Sequence, residues 1–271
     1  MKKKKLFINI LMVIFILLFC YSIFKIISWK KDSDNTNKEL NDMHENVDIK
    51  ESTDNAEIVE QQESPKKDNP YWDYIKMSLI DVDFSKLKST NEDIVGWITV
   101  NGTNINYPFV QTDNNTYYLD HSFNKKKNDA GWLFLDYRNN LLNNKNSIIY
   151  AHNRKDKTMF GSLSNTLKKS WFNETNNHII KVSTEKENDL YQIFSIYHIP
   201  TSTDYLETNF KDDNEFIEFV NLIKNRSIYK FNTEVNTNDK ILTLSTCYRS
   251  NEKLVVHAKL IKYEKKAKKL F

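Results

Sequence analysis

Two side chains in this 271-residue sequence are of the types that together perform nucleophilic thiol chemistry, and each falls where a β-strand runs out. In Ile241-Leu-Thr-Leu-Ser-Thr-Cys247 the alternation places Ile241, Thr243, Ser245 and Cys247 on one face and Leu242, Leu244 and Thr246 on the other. Arg249 and Lys253 follow within a few residues, and positive charge beside a thiol favours the thiolate, its nucleophilic form. The alternative for a single Cys in an apolar strand is a small structural core residue. His152 closes a second apolar run, Ser147-Ile-Ile-Tyr-Ala-His152. A thiol and an imidazole are the minimum for such catalysis, the imidazole holding or shuttling the proton. The two stand 95 positions apart, so only the fold can join them. Of the other histidines, His44 lies in a polar N-terminal stretch, His121 and His178 in polar loops, His198 just past a strand and His257 within one. Each of these suits a hydrogen-bonded structural role.

Positioning two strand ends requires a sheet, and the sequence supplies one. Residues 253–261 return from the cysteine strand after a short polar turn. Residues 95–100 and 104–110 flank Asn101-Gly102, a two-residue hairpin signal, with Pro108 marking an edge or bend in the return strand. Residues 131–136, 178–182 and 191–197 read as further strands, and residues 71–80, 83–88 and 158–167 as helical. The clearest helix outside the N-terminal run covers 212–225, where Phe216, Phe219, Val220 and Ile223 form one stripe behind an Asp212 or Asp213 cap. About eight strands without β-α-β alternation predict a mainly β protein, an antiparallel barrel or sandwich with inserted helices.

Composition narrows the function classes. With 39 basic and 36 acidic residues the balance gives no reason to invoke nucleic acid. Four Gly and four Pro exclude collagen-like and glycine-loop nucleotide-binding chains. The second cysteine, Cys20, lies in an apolar N-terminal run, so the remainder holds one thiol and no internal disulfide framework. No cluster has metal-ligand spacing, and neither metal nor cofactor is expected.

Residues 6–27 form the apolar run. At 1.5 Å per residue it reaches roughly 33 Å, enough to cross a hydrocarbon core, and no small-residue cleavage site follows it. It reads as an uncleaved anchor with residues 1–5, four of them lysines, in the cytoplasm and the rest of the chain outside. Residues 28–69, polar and almost free of aromatics, predict a flexible stalk. The folded domain is expected over 70–263, with a basic, solvated tail over 264–271.

A resemblance rests on these same motifs. Tyr150-Ala-His-Asn153 with Met159-Phe-Gly161, Thr243-Leu-Ser-Thr-Cys247 and Leu254-Val-Val-His-Ala-Lys-Leu260 resemble the sortases, specifically class B. So do Asn106-Tyr-Pro108, Gln111, Asp113-Asn114, Tyr117-Tyr-Leu119 and Phe134-Leu-Asp-Tyr-Arg138, in the same order, over about residues 83–261. The resemblance implies an extracytoplasmic cysteine transpeptidase, mainly of Gram-positive bacteria. Its fold would be an eight-stranded β-barrel with N-terminal helices and one long helix before the cysteine strand. It implies that Cys247 attacks the Thr carbonyl of a C-terminal sorting signal on a secreted protein. A peptidoglycan precursor or other amine then resolves the thioester, with His152 as general acid and then base.

The family's third residue is an arginine immediately before the last Val-rich strand. Here Lys253 occupies that place, in a turn about two residues short, and Arg249 is the only arginine nearby. By resemblance this cation stabilises the tetrahedral oxyanion; Arg249 is favoured for its bidentate chemistry, and Lys253, which has the position, is the alternative. By resemblance Asn106 and Val110 line the substrate groove, and Ser245 and Thr246 adjoin the nucleophile; ordinary strand packing explains these four as well. Two other readings use the same residues: a thiol peptidase releasing to water, and a catalytically weak binding module on the cell surface.

Overall fold

The computed structural model describes residues 2–52, 56–59, 70–141, 143–249 and 251–266. Eleven strands are present among them: β1 Ile49–Ser52, β2 Glu57–Ile58, β3 Leu79–Val82, β4 Ile94–Val100, β5 Asn106–Val110, β6 Phe134–Leu135, β7 Asn146–Tyr150, β8 Ile179–Ser183, β9 Glu187–Pro200, β10 Ile241–Tyr248 and β11 Glu252–Lys265. The helices are α1 Lys2–Asn46, α2 Tyr71–Tyr74, α3 Ser85–Thr90, α4 Lys169–Asn173 and α5 Asp213–Asn225. Hydrogen bonding runs β10-β7-β6-β5-β4-β8-β9-β11, and β11 pairs back onto β10. Eight strands therefore close into a barrel. Closure removes the exposed edges that an open sheet of alternating strands would leave. β2 adds to β11 outside the ring, and β1 pairs with β3 alone.

Most pairings are antiparallel, but β10 runs parallel to β7 and β5 parallel to β6. The parallel contact brings the carboxyl ends of β7 and β10 to the same end of the barrel. Apolar faces fill the interior: Trp97, Phe109, Ile149, Ile193, Leu242, Leu244 and Val256 are sealed from solvent. A second apolar cluster lies under α5, whose Phe216, Phe219, Val220 and Ile223 stripe packs on Phe194, Tyr197, Ile241 and Val255. Asp212 caps that helix by accepting from the Glu215 N–H at 2.9 Å, as its sequence signal indicated.

Several local readings change. The β4–β5 hairpin forms, but its turn spans residues 101–105 because Val100 N–H reaches the Ile105 carbonyl; Gly102 adopts φ +69° within it. The expected helix over 71–80 stops at Tyr74 and gives way to β3. Residues 158–167 hold a 3₁₀ segment over Gly161–Leu167 in place of an α-helix. The last strand runs to Lys265, into the stretch read as a solvated tail, and only residues 267–271 of that stretch lie outside the described residues.

The flexible stalk read over 28–69 is corrected for most of its described length. α1 continues unbroken from the apolar run to Asn46, and β1 and β2 follow it. Within the polar stretch Ser33, Thr36, Leu40, Met43 and Val47 recur at three- and four-residue spacing, and all five are buried, the last three in the barrel's apolar cluster. A stripe with two hydroxyls and three aliphatics escapes a reading based on overall polarity. Residues 60–69 of that stretch lie outside the described residues. The apolar half of α1 is exposed along its length, and by length and composition it is able to cross a membrane.

Candidate active site

β10 is buried at every position from Ile241 to Thr246 and emerges at Cys247, whose side chain is exposed. The thiol thus sits on a strand that the barrel fixes on both sides. In the parallel ladder the last registered pair is Ser245 with Tyr150. Two residues beyond each of these stand Cys247, still within β10, and His152, just past the end of β7. Thr246 ties the two ends together, its Oγ1 donating to the Ala151 carbonyl at 2.7 Å. The fold therefore brings to one end of the barrel the two strand ends that the sequence separates by 95 positions.

His152 is held from the opposite side. Its Nε2 donates to the Leu119 carbonyl at 2.7 Å, which leaves the other ring nitrogen for proton transfer. Gly131 lies against the ring: a Cβ there would stand 3.0 Å from His152 Cδ2 and 2.6 Å from the Tyr118 carbonyl oxygen. With φ at +61° as well, that position admits glycine and little else.

The geometry separates the two cations. In the β10–β11 hairpin Cys247 is the direct partner of Lys253, and Lys253 Nζ donates to Cys247 Sγ at 3.2 Å. Arg249 occupies the turn with φ +56° and lays its guanidinium 5.2 Å from the Tyr248 ring centroid. The structure pairs Cys247 with Lys253 and carries His152 to the same end of the barrel. Arg249 is committed to stacking on its neighbour.

The remaining expected residues turn inward. Ser245 and Thr246 are buried and bonded, Ser245 Oγ to Tyr205 Oη at 3.0 Å and Thr246 as above. Val110 is fully buried in the core. Asn106 stays half-buried, its Oδ1 accepting from Trp97 Nε1 at 2.6 Å. Two contributors escaped the sequence reading: the Leu119 carbonyl, which leaves no trace in side-chain type, and Tyr205. The latter is a lone aromatic in a polar loop, and a buried tyrosine needs a partner for its hydroxyl. That signal was available.

Beneath the nucleophile a buried polar line fixes the strand register. Thr243 Oγ1 donates to Asn146 Oδ1 at 2.6 Å, and His257 Nδ1 in turn donates to Thr243 Oγ1 at 2.8 Å. That leaves His257 Nε2 as acceptor from Tyr197 Oη at 2.8 Å. A slip of one residue would turn every β10 side chain to the wrong face and break both Thr243 bonds. Beside it, Tyr150 Oη and Arg138 both donate to Asp136, and burial, which pushes that carboxyl up, is outweighed by these bonds, so it lies below the usual range. Arg138 also holds the Leu206 carbonyl at 3.0 Å, anchoring the loop that carries Tyr205.

His257 is fully buried, and burial, with a smaller contribution from Arg226, pushes its imidazole down to about 3. Below pH 6.5 the unfolded chain takes up a proton that the native state does not, so this residue's contribution to stability is complete above that pH and falls as pH drops from 6.5 toward 3. The expected slope is roughly 1.4 kcal/mol per pH unit. Melting curves between pH 4 and 7 check it: the difference between the native chain and His257→Gln should narrow steadily as pH falls. A constant difference would remove His257 as the titrating group.

Comparison with known proteins converges on one group. The family model described as "Sortase domain" matches residues 98–261. Sortase B of Staphylococcus aureus is 36% identical over 184 residues, covering 66% of this chain and 75% of that protein. Among solved structures, sortase B of Bacillus anthracis in complex with AAEK1 superposes with a TM-score of 0.62 at 40% identity, covering 66% of this chain and 84% of that one. The Staphylococcus aureus sortase B–substrate complex gives 0.62 at 36%, covering 66% and 84%. A sortase B complexed with triglycine gives 0.62 at 36%, covering 66% and 85%.

Proposed function

Because the chain belongs to the sortase family of cysteine transpeptidases, and within it to class B, we propose that Cys247 cleaves a C-terminal sorting signal after Thr and passes the acyl group to an amine. The observation that carries this reading is the exposed Cys247 sulfur 3.2 Å from the Lys253 ammonium, beside the strand end that bears His152.

The Cys247 sulfur attacks the Thr carbonyl carbon, and the carbonyl oxygen takes up the electron pair as an oxyanion. The Lys253 ammonium pairs with the sulfur's negative charge before attack and with the oxyanion after it. As the tetrahedral intermediate collapses the C–N bond breaks, and imidazolium His152 gives its proton to the leaving amine. The thioester remains. An incoming amine then attacks the same carbon, neutral His152 takes a proton from it, the C–S bond breaks and the thiolate returns. Leu119 holds the imidazole in orientation through both half-reactions. Of the four residues expected near substrate, Asn106 alone keeps open surface, so we assign it contact. Ser245 and Thr246 position the strand.

The proposed donors are secreted proteins bearing a sorting signal, and the acceptor is a cell-wall amine such as a peptidoglycan precursor. A substrate-bound sortase B and one bound to triglycine support these two classes. Residues 6–27 anchor the enzyme in the cell membrane, N-terminus inside, with the barrel outside.

The test is the product split. The protein is incubated with sorting-signal peptides with and without triglycine. Ligated product whose yield rises with triglycine, at the expense of hydrolysis, is expected. Cleavage indifferent to the amine would identify a thiol peptidase, and no cleavage of any peptide would leave a binding module.

A further inference from the structure

We propose that the polar half of α1, from Trp29 to Glu39, is a positioning element for His152, so that the membrane anchor and the proton-transfer group form one mechanical unit. The proposal rests on the reading of His152 as the acid and base and of residues 6–27 as the span.

Two loops hold His152, and α1 grips both. The loop before β6 supplies the Leu119 carbonyl to His152 Nε2 and packs Gly131 against the ring. On that loop Asn128 Nδ2 donates to Thr36 Oγ1 at 3.1 Å, the Asn124 N–H donates to Glu39 Oε1 at 2.9 Å, and the Asp129 N–H reaches Asp32 Oδ2 at 3.4 Å. The other loop continues directly from His152. There Ser33 Oγ donates to Asp156 Oδ2 at 2.5 Å, and the Arg154 guanidinium sits 5.6 Å from the Trp29 ring centroid. Arg154, itself buried, bonds the same Asp156 oxygen at 2.9 Å and Thr158 Oγ1 at 3.1 Å. Burial pushes the Asp156 carboxyl up, but the bonds from Arg154, Ser33 and Thr158 outweigh it and hold the carboxyl well below its usual range. The hub is therefore charged throughout the physiological range.

These contacts do not resemble a helix resting on an apolar patch. The upper part of the stripe is hydroxyl-bearing: Ser33 and Thr36 are buried at 6% and 0% exposure, and their hydroxyls meet the two loops. The apolar residues Leu40, Met43 and Val47 come later and join the barrel's apolar cluster. The helix has no break between the apolar run and this contact. Ser33 lies six helical steps beyond Ile27, about 9 Å along the axis, so the His152 loop stands close above the end of the span.

The experiment uses the full chain in nanodiscs, with Ser33→Ala and Trp29→Ala assayed for peptide cleavage across pH. Trp29 is partly exposed and its replacement leaves no buried gap, which keeps the test open if the Ser33 variant folds poorly. Expected are melting temperatures like that of the unaltered chain, an unchanged KM, a kcat lowered about 10-fold for Ser33→Ala, a displaced His152 limb of the kcat–pH profile, and recovery in Ser33→Thr; a 10-fold change corresponds to one weakened polar contact. Folded Ser33→Ala and Trp29→Ala proteins with unaltered kcat and pH profile would overturn the proposal. A His152→Ala protein assayed in parallel separates the premises: if it keeps both the activity and the pH limb, it is the catalytic reading of His152 that fails.

Discussion

Replacing Cys247 with alanine is expected to lower peptide cleavage by on the order of 10⁴-fold or more, since removal of a nucleophile eliminates the covalent route and not merely one contact within it. The protein should fold as before. Cys247 is exposed, so its truncation opens no cavity, and Ile241–Thr246 keep β10 in place through buried contacts on both faces. The substitution also tests the other cysteine. Cys20 lies in the exposed apolar half of α1, far along the helix from the barrel. Cleavage surviving in Cys247→Ala would place the chemistry away from the β10 terminus altogether. Peptide kinetics together with melting curves of the two proteins check both halves of this expectation.

The second large effect separates two cations of equal charge. Lys253→Ala is expected to cost on the order of 10²–10³ in kcat, the scale for loss of one group stabilising a tetrahedral oxyanion. Arg249→Ala should stay within about twofold, because the guanidinium lies over Tyr248 while Lys253 Nζ meets the sulfur at 3.2 Å. Lys253→Arg keeps the charge and adds a planar fork, so it should recover most of the rate lost in Lys253→Ala. If the magnitudes were reversed, with Arg249→Ala the severe variant, the turn would have to rearrange on substrate binding and swing Arg249 off its aromatic neighbour. Paired kcat and KM measurements on the three variants decide it.

The choice between these cations shows where sequence reasoning stopped. Period-two alternation made the strand before Cys247 legible, and the apolar run before His152 was legible for the same reason. Family motifs joined the two and gave the eight-stranded barrel. What the sequence could not supply was hairpin register. Cys247 pairs with Lys253 across β10 and β11, and that pairing, which supports Lys253 over Arg249 in the proposed mechanism, depends on where the turn falls. The Asn101-Gly102 signal erred similarly: it marked the right hairpin, but the chain closes over 101–105.

The polar N-terminal stretch is the largest difference, and its cause is also physical. Average composition over 28–69 describes a solvated chain, yet a helix buries only one stripe. Ser33, Thr36, Leu40, Met43 and Val47 provide that stripe while every other face stays polar. The α5 stripe was read correctly because it is made of Phe, Val and Ile with an aspartate cap. Hydroxyls that pair with loops over 90 residues away in sequence carry no such local mark.

An acyl-thioester on Cys247 is detectable by intact-protein mass spectrometry of the protein mixed with sorting-signal peptide in the absence of amine. One adduct is expected, with the mass of the peptide fragment ending in Thr, localised by digestion to the fragment containing Cys247, and discharged on adding triglycine with formation of the ligated peptide. Peptide turnover with no adduct on that fragment under rapid acid quench, or an adduct that triglycine leaves in place, would contradict it.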